Sequence, residues 1–221
     1  MKKWRSIAVI IVMVCLMIGG SGCSGIFDST KSEVRIAKKV LKEKYNEDFE
    51  IITLGGRWGT LTNDTFTVKC YPVSDPDCIF KAEIQKEGHY IFDKYISTCV
   101  CKRLRLELAE IIDDDENVSL LVFSRPSTVE GTDSQVSYED FMEENNADFV
   151  IYIVTTKDYD SVEEPLKQLM EKYPDLTGVV EYWDNVSNET LGEFKEMAKD
   201  ATTLTGQMQF LLKTDGTCIE F

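Results

Sequence analysis

The chain has 221 residues, with 24 Lys plus Arg against 39 Asp plus Glu, and a formal charge of −15 with its single histidine neutral. A surface of that sign repels nucleic acid, whose binding relies on Lys and Arg displacing counterions from phosphate, so no nucleic-acid partner is expected. One imidazole, His89, also leaves no second ligand for a His-x-x-x-His zinc site.

Met1 to Arg5 is a short basic patch, Ile7 to Ile18 an unbroken apolar run, and Gly19 to Gly22 a small-residue tail. Basic, then apolar, then small is the layout of a secretory signal peptide, and residues 1–22 are read as one. A spanning helix needs roughly 20 apolar residues, so a stable transmembrane anchor is the weaker reading. Behind the run stands Gly19-Gly20-Ser21-Gly22-Cys23. This stretch resembles a lipobox, at which bacterial lipoprotein precursors are acylated on cysteine and cleaved just before it. Gly22 and Ser21 fit that pattern, while Gly20 departs from it, an aliphatic residue being commoner there. The whole resembles small uncharacterised lipoproteins of Gram-positive bacteria. The resemblance implies export, a palmitate-type lipid on Cys23 and an extracytoplasmic location on the cell membrane; it implies no activity. Cleavage would remove Lys2, Lys3 and Arg5 and no acidic residue, taking the formal charge from −15 to −18.

Residues 23–32 read as a lipidated tether, small, polar and without periodicity. Glu33 to Tyr45 has Val34, Ala37, Val40, Leu41 and Tyr45 at helical spacing, with Ser32 suited to the N-cap. The period then changes to two. Residues 48–54, 65–71, 78–84 and 89–92 read as consecutive antiparallel strands, and a long helix follows from Asp93 to Ile112. Residues 33–115 therefore form an α-β-β-β-α unit. From residue 117 strands alternate with helices: strands at 118–124, 148–156 and 177–183, helices at Tyr138–Asn145, Ser161–Tyr173 and Asn188–Ala201. The end reads as two strands about Asp215-Gly216, a dipeptide suited to a hairpin turn. The expected fold is α+β: a helix, antiparallel meander and helix, then an alternating β/α unit over residues 117–221 that closes in a hairpin. The two units are either separate or one continuous sandwich sharing helices.

Export permits disulfides. If the strands around Cys70 and Cys78 pair with all apolar residues inward, Cys70 faces Cys78, Val68 faces Phe80 and Phe66 faces Ala82. A Cys70–Cys78 bridge is then feasible, against two buried thiols packing as small hydrophobes. Cys99 and Cys101 lie about 200° apart around a helix, which argues against a shared metal or redox role. The stretch Asp113 to Glu116 lacks the alternation of an EF-hand loop. No Gly-x-x-x-x-Gly-Lys loop, Gly-x-Gly-x-x-Gly turn or Gly-x-Ser-x-Gly elbow occurs, so no cofactor, metal or catalytic residue is expected. Two places have binding character. Glycines flank Arg57-Trp58, which presents the indole to a sugar or partner unless it folds back over the core, and Trp183 stands near the end of a strand.

Three functions stay open: a non-enzymatic module for an envelope protein, a receptor for a cell-wall glycan or small solute through Trp58 or Trp183, and an extracytoplasmic thiol enzyme using Cys70 or Cys78. The first is the leading expectation.

Overall fold

The computed structural model describes residues 24–55, 64–112, 116–157, 163–199, 206–215 and 217–220. The signal-peptide stretch, Cys23, Arg57 and Trp58 lie outside the described residues. The first helix, α1, runs Ser24–Tyr45 and leads into the strands β1 (Phe49–Leu54), β2 (Thr65–Pro72), β3 (Phe80–Gln85) and β4 (Tyr90–Asp93). Helix α2 (Tyr95–Ile112) links these to β5 (Val118–Arg125), α3 (Tyr138–Asn145), β6 (Asp148–Thr155) and α4 (Glu163–Lys172). The chain continues through β7 (Gly178–Asp184), α5 (Asn188–Ala198), α6 (Gly206–Asp215) and β8 (Thr217–Glu220). The class is α+β, as the change from period two to alternating strands and helices implies.

The first sheet is antiparallel in the order β1-β2-β3-β4. Strand β2 buries Phe66, Val68, Cys70 and Pro72 and leaves the residues between them half-buried, so strict alternation sets its inward face. The second sheet has the order β5-β6-β7-β8. Its β6 and β7 run parallel, while β5 pairs with β6 and β8 with β7 antiparallel. Strands β5 and β6 are buried almost throughout, which continuous apolar runs permit only where both faces are covered.

Helix α2 supplies that cover. Ile96, Val100, Leu104, Leu108 and Ile112 recur at four-residue spacing and are all buried. One hydrophobic cluster runs from Ala37 and Leu41 of α1 through Phe66, Phe80 and α2 to Leu120, Phe149 and Tyr182. The two sheets thus share a core with α2 between them. A second cluster joins Leu121, Phe123, Val150 and Trp183 to Leu191 and Phe194 of α5 and to Met208 and Leu212 of α6. Polar ties add direction. Glu107 of α2 accepts a hydrogen bond from Tyr138 at 2.7 Å and another from Tyr173, with the Lys172 ammonium 3.5 Å away. Helices α3 and α5 begin on serine caps, Ser137 accepting from the Asp140 amide and Ser187 from the Thr190 amide.

Three expectations need correction. Residues 24–32, read as a non-periodic tether, belong to α1. The β2/β3 register is displaced by two residues, so Cys70 faces Phe80, Val68 faces Ala82 and Phe66 faces Ile84. The inward faces survive this change because the side-chain period is two, but Cys78 falls outside the ladder and not opposite Cys70. The terminal hairpin is absent: residues 206–215 are helix α6, and Thr217–Glu220 is a strand pairing with β7. Met208 and Leu212, four residues apart, are its buried positions, whereas Phe210 is 70% exposed. Cys218 is aligned with Trp183.

Candidate functional site

Strand β5 has one partner, β6; among the described residues no strand pairs with its other edge. The hydrogen-bond phase shows which backbone groups face that edge. The Thr156 amide donates to the Asn117 carbonyl at 3.1 Å, placing Asn117 in a hydrogen-bonded position of the antiparallel ladder. Alternation then turns the amides and carbonyls of residues 119, 121, 123 and 125 toward β6. Those of Val118, Leu120, Val122 and Ser124 point away from it.

A cavity of about 510 Å³ runs along this edge. It is lined by every residue from Ser119 to Ser124. Successive side chains of a strand point to opposite faces, so a cavity that touches six in a row lies along the strand's edge. Helix α2 forms one wall through Ser97, Thr98, Cys101, Lys102, Arg105 and Leu106. The other side is closed by Ala198 and Lys199 at the end of α5, which packs on the opposite face of the sheet, and by Asp77 and Ile79 from the β2–β3 connection.

The rim is cationic on an otherwise acidic molecule. Lys102, Arg105 and Lys199 stand against Asp77; Lys102 also meets Asp75 at 2.5 Å and Lys199 meets Glu196 at 2.5 Å. Leu106 adds apolar surface, being 48% exposed. Within the wall, the Thr98 hydroxyl is buried and has no hydrogen-bond partner among the described residues. A buried hydroxyl in that state lowers its free energy when a ligand supplies a partner.

The surroundings raise the thiol pKa of three of the described cysteines, Cys70, Cys78 and Cys101. Burial pushes the Cys101 thiol up to about 12, with hydrogen bonds from Ser124 opposing the shift. Burial likewise raises Cys70, with the nearby Asp93 charge adding to it. Cys78 is raised by its hydrogen bond to Cys99 and then by burial. Each is therefore biased toward the thiol form, whereas Cys99, half-buried, is the more accessible sulfur. Cys99 and Cys101 diverge as helical spacing demands: the Cys99 sulfur lies 3.0 Å from that of Cys78, and Cys101 faces Ser124.

Trp183, expected as a ligand contact, is 4% exposed inside the second cluster. Its indole N–H donates to Glu181 at 3.3 Å. The strand end that would have lined a crevice is covered by α5 and α6, so this indole is core. Among the described residues no group of three or more His, Cys, Asp or Glu side chains is placed to hold a metal, and no helix is long and apolar enough to cross a membrane.

No family model and no curated protein matches the chain. A crystal structure of a DUF5037 family protein from Ruminococcus gnavus does: it is 15% identical, with a TM-score of 0.55, over 84% of this chain and 90% of that one. At that identity the likeness concerns the fold alone. It extends over both sheets of the present molecule, since 84% of this chain exceeds either unit taken singly.

Of the groove residues, sequence reasoning took up only Cys101, and that as half of a pair without a shared role. Only two signals bear on them: the continuous apolar run of β5, which indicated a strand covered on both faces, and the α2 stripe, which set the helix wall. That β5 would be an edge strand depended on strand order.

Proposed function

We propose that this protein is a lipid-anchored, extracytoplasmic, non-enzymatic interaction module that binds an extended segment of another envelope protein along the free edge of β5. The observation that carries the reading is the groove along the β5 edge, where the backbone of Leu120 and Val122 points away from β6. Addition of a strand supplies main-chain hydrogen bonds at such an edge, while wall pockets select side chains. Eight residues of β5 offer about 26 Å of edge. The cationic rim favours a segment with acidic side chains beside its apolar positions.

Anchoring rests on the basic, apolar and small pattern of residues 1–22 and on Cys23. Two or more acyl chains give firm attachment, at about 0.8 kcal/mol per buried CH₂. The helical stretch from Ser24 to Ser32 then spaces the body about 13 Å from the lipid. In the bacterial host, Cys23→Ala is expected to abolish fatty-acid incorporation and leave an unprocessed precursor. Labelling with a radioactive fatty acid and a mass of the product check this; persistent labelling of the variant would remove the anchor from the reading.

The groove is tested with a random peptide library displayed against the detergent-solubilised full chain. Peptides that alternate apolar and polar residues are expected to enrich. Val122→Pro deletes an outward N–H and leaves the β6 ladder intact, since proline is tolerated on an edge. Selected peptides should lose at least about tenfold in affinity for it, equivalent to about 1.4 kcal/mol. Leu106→Asp, on the exposed rim, should act in the same direction. Equal affinity for both variants and the native chain sinks the proposal.

A further inference from the structure

The connection between β2 and β3 holds a second, independent arrangement. Two successive turns shape it: the Asp75 amide donates to the Pro72 carbonyl at 3.0 Å, and the Cys78 amide to the Asp75 carbonyl at 3.1 Å. Lys102 of α2 grips Asp75 at 2.5 Å. These contacts set Cys78, fully buried, against α2 with its sulfur 3.0 Å from that of Cys99. Cys99 is half-buried and lines a second cavity of about 250 Å³, beside Glu47, Tyr95 and Lys102. The neighbours of Cys78, Asp77 and Ile79, line the β5 groove, as do Thr98 and Cys101 on either side of Cys99.

We propose that Cys78 and Cys99 form a disulfide that staples the β2–β3 connection to α2 and so fixes one wall of the groove. The sulfurs need to close by about 1 Å to reach the bond length of roughly 2.05 Å. Cys70 is not the partner of Cys78, since it faces Phe80 in the ladder. The pairing stands on this geometry and does not require the peptide-binding reading.

The oxidant is a small or protein disulfide. The Cys99 thiolate, reached through the second cavity, attacks one sulfur of the oxidant and releases the other as a thiolate. Cys78 then gives up its proton and attacks the Cys99 sulfur of the mixed disulfide, expelling the remaining oxidant sulfur. One disulfide is reduced to two thiols, which take up the two protons lost by Cys78 and Cys99, and one disulfide forms.

The test uses the full chain purified under reducing conditions, incubated with oxidised glutathione, denatured in acid, alkylated and digested for mass spectrometry. The expected result is a cross-linked pair of peptides carrying Cys78 and Cys99 that separates on reduction, with Cys70 and Cys101 alkylated. Alkylated Cys78 and Cys99 in most molecules, a stable glutathione adduct on Cys99, or a bond from Cys78 to another cysteine overturns the proposal. The Cys99→Ser variant should leave Cys78 alkylated; a Cys70–Cys78 bond in that variant and in the native chain would equally overturn it. The oxidised chain should melt roughly 5–10 °C above the reduced one, as expected for closing a loop of this length in a chain of this size. Equal melting temperatures would remove the staple's role.

Discussion

Gly178→Ala is expected to cost about 3 kcal/mol or more and to lower the melting temperature by roughly 6–12 °C. Gly178 lies opposite Phe149 in the parallel β6/β7 ladder, and the Phe149 amide donates to the adjacent Thr177 carbonyl at 3.0 Å. A β-carbon at Gly178 would stand 1.9 Å from the Phe149 carbonyl oxygen and 2.8 Å from its carbon. Those atoms are backbone, so relief requires parting two strands at the centre of the sheet. Phe149 is itself fully buried beneath Phe141 and Tyr138, and any displacement is felt across the shared core. The loss is a large share of a typical net stability of 5–15 kcal/mol. Gly192 is the contrast. It sits inside α5, where a β-carbon would meet nothing within 4 Å, so Gly192→Ala should gain up to about 1 kcal/mol. Chemical denaturation of the two variants checks both signs; a Gly178→Ala protein as stable as the native chain would refute the close approach.

The second large effect concerns Asp93, which is 3% exposed at the junction of β4 and α2. Its carboxylate accepts from the Tyr45 hydroxyl at 2.8 Å and from the Tyr95 amide at 2.8 Å, with the Lys44 ammonium 3.2 Å away. Burial, and after it the Asp93 charge, holds the Tyr45 hydroxyl far above the usual phenol range, so it remains a donor. One side chain thus caps α2, binds α1 and neutralises a partly buried cation. Asp93→Ala leaves the Tyr45 hydroxyl and Lys44 without that partner and is expected to cost about 3 kcal/mol. Asp93→Asn keeps an acceptor for the Tyr95 amide but loses the charge, and should fall between alanine and the native chain. Urea unfolding orders the three; an alanine variant within about 0.5 kcal/mol of the native protein contradicts the assignment.

The elements themselves were legible because each buries its apolar residues at its own period. Phe66, Val68 and Cys70 at spacing two, and Ile96 to Ile112 at spacing four, reappear as the inward strand face and the buried helix stripe. Where period alone had to decide, it misled. Registers that differ by two residues bury the same side chains, so Cys70 opposite Cys78 and Cys70 opposite Phe80 were equally good patterns. In residues 206–215 the alternation of Met208, Phe210 and Leu212 imitated a strand, yet only Met208 and Leu212 find core, one helical turn apart on the Phe194 side of the sheet.

What the sequence determined by itself is the α+β class, most strand and helix positions and the acidic charge, together with the expectations of an anchored N-terminus at Cys23 and of no nucleic-acid partner. These depend on composition and on contacts between near neighbours in the chain. Tertiary structure alone decided that β5 would be an edge, that Trp183 would be core, and that Cys78 would meet Cys99 across 21 positions. Each follows from which elements pack together, and local periodicity carries no record of strand order or of partners distant along the chain.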